Sequence, residues 1–320
     1  FNKNRNFHPG GMEMLSNLLT VTGQVATLFL MMAVGYIMYR VHILDDAANV
    51  RFTKLVLNIS LPAQILSSFL GSSGIISKGD VFNMLLLSVA IYFIYGIIGF
   101  IFVQALRVPK KEKGTYIFMM MFGNVGFMGF PVINAIFGSE YLIYAVIFNV
   151  PFYLLVFSIG IRMMSGGTGK FNPRLLLNIP LISAVLSIIL FFLDFKMPEL
   201  LMNTLDTLGN VTTPVAMILL GATIASMPFR ELFDSWRIYA YTAVKLVVLP
   251  AVIFLLLEGL TSLGASVVAV FAVLSGMPTA TNTTMVSIEY GGDQKLAAKG
   301  IFFTTLLSMV TIPVLTLLLS

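Results

Sequence analysis

The sequence has 320 residues, of which 58% are hydrophobic and only 10% charged. A soluble chain carries about 25% charged residues, so this composition excludes an ordinary soluble domain and places the chain in a bilayer. The lack of cysteine excludes disulfides, thiol nucleophiles and thiolate-ligated metals, and the formal charge of +5 has to be explained by where the charges sit.

Residues 1–11 are polar, do not resemble a signal peptide, and read as a remnant or a disordered leader ahead of Met12. A membrane helix needs about 20 apolar residues. Ten stretches meet that requirement: 18–39, 50–70, 81–106, 115–137, 141–163, 175–194, 204–226, 236–257, 265–287 and 297–319. Several connections are too short to hold a separate domain. Residues 164–173, with Ser165-Gly166-Gly167-Thr168-Gly169, read as a flexible cytoplasmic linker between a first half, 12–163, and a second, 174–320.

Lysine and arginine are distributed unevenly. The odd-numbered loops carry 14 of them, including Arg107, Lys110, Lys111 and Lys113, and the opposite side carries four. Cytoplasmic loops hold the excess, so both termini are expected outside, in a multi-pass protein of the plasma membrane. The positive charge then marks topology, and no nucleic-acid partner is implied.

Two stretches are unlike the rest. Gly123-Asn124-Val125-Gly126-Phe127-Met128-Gly129-Phe130-Pro131 and Gly276-Met277-Pro278-Thr279-Ala280-Thr281-Asn282 put glycine, proline and asparagine inside apolar spans. Inside a helix, glycine costs about 1 kcal/mol and proline about 3 kcal/mol relative to alanine. Spans four and nine are therefore expected to break, leaving backbone groups that lipid cannot satisfy.

Weak repeats support a two-fold organisation. Asn58-Ile59-Ser60-Leu61-Pro62-Ala63 recurs as Asn210-Val211-Thr212-Thr213-Pro214-Val215, and Phe137-Gly138-Ser139-Glu140-Tyr141 recurs as Tyr290-Gly291-Gly292-Asp293-Gln294. Five spans per half is an odd number, so the second copy must lie inverted. Broken helices at matching positions of inverted halves point to a binding site near the midplane.

The residues that carry these breaks resemble the auxin efflux carrier family, bacterial members included. The likeness lies in Gly123-Asn124, Pro131-Val132 and Ile136-Phe137-Gly138, in Met277-Pro278-Thr279-Ala280-Thr281-Asn282-Thr283, and in Thr311-Ile312-Pro313-Val314. The resemblance implies an all-α membrane protein of ten transmembrane helices, folded like bacterial sodium/proton antiporters, in which spans four and nine cross. Spans one, two, six and seven would form a scaffold; spans three to five and eight to ten would form a transport domain moving as an elevator. It also implies export of organic anions such as auxin, malate or malonate. The short 164–173 loop departs from the long regulated loop of many plant members.

Candidate substrate-binding residues follow from position. Asn124 and Asn282 lie at the breaks, where an amide can donate to a carboxylate or accept from a protonated one; each could instead only satisfy backbone freed by its proline. Gly123, Gly126, Pro131, Gly276 and Pro278 are expected to make the crossover. Lys245 is an ionisable residue within span eight, suited to balance an anion or to snorkel. Asn58 and Asn210 are repeat mates that could line the cavity or repair a kink, and Gln64 and Asn149 are weaker instances. No metalloprotease, phosphate-loop or serine-hydrolase motif is present, so no enzyme, metal or cofactor is expected. A homodimer is left open. The rival readings are a cation/proton antiporter, which would need a deep carboxylate, and a membrane receptor that binds without transporting.

Overall fold

The computed structural model describes residues 11–71, 76–167, 178–226 and 235–319, and residues 1–10 and most of the expected linker, 168–173, lie outside them. Within the described residues the chain is helical, and β-structure is confined to isolated bridges. The helices are α1 (Gly11–Arg40), α2 (46–71), α3 (Lys78–Ala105), α4 (Lys110–Met121), α5 (Phe130–Phe137) and α6 (142–164). They continue as α7 (Ile179–Phe192), α8 (Glu199–Ser226), α9 (Trp236–Leu260), α10 (Ala265–Ser275), α11 (Thr283–Tyr290) and α12 (Gln294–Leu319).

Helix α3, helix α8, helix α9 and helix α12 are each long and apolar enough to cross a membrane. The pair Ser139–Leu155 and Ser158–Met164, bent by 45°, makes a fifth candidate. Of the other expected spans, 18–39 lies within the 30-residue α1, and the rest are occupied by shorter or interrupted helices. Along α3 the exposed side chains include Phe82, Leu86, Val89, Phe93, Ile97 and Phe100, repeating every three to four residues. A stripe of that kind would be an aggregation surface in water; against lipid tails it is the expected exterior.

Local chemistry explains the helix ends. Asp45 caps α2 by accepting from the Ala48 N–H at 2.6 Å, Ser77 caps α3 by accepting from Asp80 at 3.1 Å, and Asn178 caps α7 by accepting from Leu181 at 2.9 Å. Three of the prolines inside spans are accommodated by one device. The turns Val56–Ser60, Val125–Gly129 and Val244–Val248 are widened, and the residue before Pro62, Pro131 or Pro250 donates five positions back, to Val56, Val125 or Val244. The extra residue in each turn moves the pyrrolidine ring off the carbonyl it would otherwise strike.

The helix pairings fall into two groups. α1 lies along α8, and α2 packs against α7 and α8. In the other group α3 packs on α4 and α6, while α9 packs on α10 and α12. These pairings are unchanged when each span is exchanged with the one five places further on. The α1–α8 contact is close because it is built from glycine: a Cβ at Gly35 would lie 1.9 Å from the Ile218 carbonyl oxygen, and one at Gly221 would lie 1.8 Å from that of Met32. Backbone-to-backbone packing of this kind is how membrane helices gain contact without a hydrophobic drive.

Candidate functional site

The two broken spans meet. α4 ends at Met121, and the chain runs extended through Phe122 until it coils again from Val125. α10 ends at Ser275, and residues 276–282 are non-helical before α11 begins at Thr283. The extended pieces lie antiparallel, bridged at Gly123 and Thr279. The Asn124 N–H donates to the Pro278 carbonyl at 2.7 Å, and the Ala280 N–H donates to the Phe122 carbonyl at 3.1 Å. Backbone that lipid would leave unsatisfied is thus satisfied by the other break.

The prolines play unequal parts. Pro131 stands in the second turn of the helical run that begins at Val125, where the widened turn Val125–Gly129 takes up its ring and its missing N–H. Pro278 lies in the extended segment, and its carbonyl takes the Asn124 bond. The break in span four therefore falls at 122–124, upstream of the proline that signals it in the sequence.

Beside this bridge is a cavity of about 90 Å³, lined from the breaks by Asn124, Gly126, Thr281 and Asn282, from α6 by Asn149 and Tyr153, and from α2 by Leu57 and Leu61. Asn124 is 3% exposed. Its side-chain nitrogen is buried without a hydrogen-bond partner, as are the side-chain oxygens of Asn149 and Asn282. The Tyr153 side chain, one turn further along α6, lines the same cavity beside Asn149. Three amides with unused capacity around one void are a costly arrangement, each unmet group being worth about 1–3 kcal/mol. No side chain lining the cavity carries a formal charge. The half-helices beginning after Asn124 and Asn282 instead direct the positive ends of their dipoles toward it.

Lys245 is placed differently from its expected role. It is 1% exposed, its ammonium donates to the Met120 carbonyl at 2.9 Å, and it lies 5.4 Å from the centre of the Tyr95 ring. A Cβ on Gly123 would come within 3.5 Å of that ammonium. The cation therefore sits at the C-terminal end of α4, where the dipole is negative, and does not line the cavity. Asn58 is exposed on the widened turn of α2, and Asn210 lines a separate cavity. The widened turn adds a residue to α2, so a position four before the proline no longer has the direction a regular helix would give it.

Sequence reasoning missed the groups that hold the bridge. The Tyr241 hydroxyl donates to the Met119 carbonyl at 3.0 Å and pairs with the Thr279 hydroxyl at 2.7 Å. The Thr279 N–H donates to the Thr304 hydroxyl at 2.9 Å, and Tyr95 donates to Ser275 at the end of α10. One signal for Tyr241 was available: it lies four residues before Lys245, on the same face of α9. Tyr153 stands in the same relation to Asn149. Nothing in the sequence marks Thr304.

The chain is similar in sequence to known membrane transporters. A family described as membrane transport protein matches residues 20–174 and 167–316. An uncharacterized transporter of Methanocaldococcus jannaschii is 31% identical over 300 residues, covering 90% of this chain and 95% of that protein. One from Methanothermobacter thermautotrophicus is 26% identical over 305 residues, covering 91% and 96%. A Rhizobium meliloti protein that bears malonate transporter as its provisional name is 25% identical over 307 residues, covering 91% and 93%. On these matches, and with a helical fold whose two interrupted spans cross, the chain belongs to the membrane transport protein family, that of the auxin efflux carriers.

Proposed function

We propose that this protein is a secondary transporter for small organic carboxylates, which bind at the crossover of spans four and nine. The observation that carries the reading is the trio of unpartnered amide groups, on Asn124, Asn149 and Asn282, around one uncharged cavity at the two half-helix starts. Donors from amides, a tyrosine hydroxyl and two positive dipole ends suit a carboxylate, and the amide oxygens also suit its protonated form. The provisional malonate name of one relative is consistent with that class. A volume of about 90 Å³ favours a small acid over one bearing a ring system.

Ten spans in a five-plus-five inverted repeat are supported by the helix pairing, which maps onto itself under exchange of the halves. The cavity lies between α2 of one group and the crossover of the other, so sliding one group past the other would carry the site across the membrane. The lysine and arginine distribution supports an orientation with both termini outside. A cation/proton antiporter would want an acidic group at the crossover, and none lines this cavity.

The test is flux in proteoliposomes. Uptake of labelled malonate or malate that is saturable and competed by unlabelled acid is the expected result. Saturable binding without uptake would make the protein a receptor, and pH-driven cation flux without carboxylate flux would refute the reading.

A further inference from the structure

The cavity at the crossover limits the charge of what it can hold. Among the described residues that line it, Tyr153 is the one titratable side chain, and no carboxylate, lysine, arginine or histidine is present. Lys245 lies behind Gly123 and directs its charge elsewhere, donating to the Met120 carbonyl at the negative end of α4. What faces the cavity is the pair of half-helix starts at Val125 and Thr283. Each carries about half a positive charge, so together they balance about one negative charge. A second negative charge, buried there without a partner, would be strongly disfavoured.

The hydrogen-bonding groups lead to the same species. Asn124, Asn149 and Asn282 each bring an amide to the lining, and Thr281 a hydroxyl. An amide offers an acceptor oxygen as well as two donor hydrogens. Asn124 and Asn149 are 3% and 2% exposed, so both ends of each need partners inside the protein or on a bound molecule. A fully ionised dicarboxylate only accepts, and would set its lone pairs against the amide oxygens. A carboxyl that keeps its proton can donate to one of them.

We infer that the crossover takes a small dicarboxylic acid in its singly ionised form, with one carboxylate at the half-helix starts and one protonated carboxyl on an amide oxygen. The inference rests on the carboxylate reading of this cavity and names the species that the cavity selects. The ligand then brings its own proton, so each acid that crosses carries one proton and one negative charge. Coupling of that kind needs no acidic side chain at the site, in keeping with a lining that has none.

The experiment is calorimetric titration of the purified full chain in detergent, over a pH series that spans the second ionisation of malonic acid. The Kd for malonate should be constant on the acid side and rise about tenfold per pH unit above that ionisation, because a proton must be regained on binding. Malonamate, in which an amide replaces one carboxyl, keeps one charge and a donor throughout the series. Its Kd should stay flat, so it also reports any titration of the protein's own groups, Tyr153 and Lys245 included. Monomethyl malonate keeps the charge but has no donor, and should bind about tenfold more weakly than malonamate, again without pH dependence. A malonate Kd that is flat or falls as pH rises overturns the proposal, as does a malonamate Kd that rises in parallel with it. Equal binding of malonamate and the monomethyl ester overturns it too. Each of those results leaves the carboxylate reading standing, whereas binding of none of the three acids at any pH overturns both.

Discussion

Asn124 and Pro278, 154 positions apart in the chain, are joined by a backbone hydrogen bond of 2.7 Å from the asparagine N–H to the proline carbonyl. That bond uses the main chain of Asn124 and leaves its side-chain amide free beside the cavity. One residue therefore serves both the architecture and the candidate site, through different atoms.

Asn124→Ala should separate the two. The bridge to Pro278 survives, while an amide donor to the ligand disappears. A hydrogen bond to a charged group is worth about 1.5–3 kcal/mol, so carboxylate affinity should fall by roughly 10- to 100-fold. Isothermal calorimetry with malonate measures it, alongside a thermal midpoint close to that of the unaltered protein. Unchanged affinity would remove Asn124 from the site.

Lys245→Met should act on stability. The substitution keeps the volume but leaves the Met120 carbonyl without its donor and the end of α4 without its cation. An unmet buried group costs about 1–3 kcal/mol, so the thermal midpoint should drop. Carboxylate affinity, measured where the variant is folded, should change by less than about threefold, because Lys245 does not line the cavity. A rise in the midpoint would show that burying the ammonium costs more than its contacts return.

The prolines should differ under the same substitution. Pro131→Ala restores an N–H beside a turn already widened around the ring and should shift stability by no more than about 1 kcal/mol. Pro278→Ala loosens the unfolded chain less favourably and adds a buried N–H in an extended segment, for a cost of about 1–3 kcal/mol. Paired thermal or denaturant unfolding of the two variants checks the order. Equal losses would mean that the extended geometry at 278 does not depend on proline.

Tyr241→Phe removes one hydroxyl that bonds both the Met119 carbonyl and Thr279. Thr304→Val removes the acceptor of the Thr279 N–H. Each should lower the midpoint, and the double variant should lose less than the two losses added, since they act on one network. Strict additivity would show that the two contacts hold the second break independently.

The residues 123–131 and 276–282 were legible as breaks because glycine and proline conflict with a helix on local grounds alone. The same local rule placed helical segments in all ten expected stretches. Direction was not legible. Whether an amide faces a cavity depends on helix rotation, and the widened turn at Val56–Ser60 alters that rotation on α2 without any motif to announce it. Lys245 shows the same limit: the sequence put a cation inside span eight, but only packing could set it against the C-terminal carbonyls of α4 and not against the void. Gln64 is only a minor polar residue in an apolar span by sequence; the close approach of Gly209 to its backbone, from far along the chain, belongs to the tertiary structure. Composition and backbone preference act between neighbours in sequence, and so fixed the bilayer, the helices and their interruptions. Which polar atoms were left without partners was decided by contacts between distant segments, and those atoms mark the candidate site at the crossover.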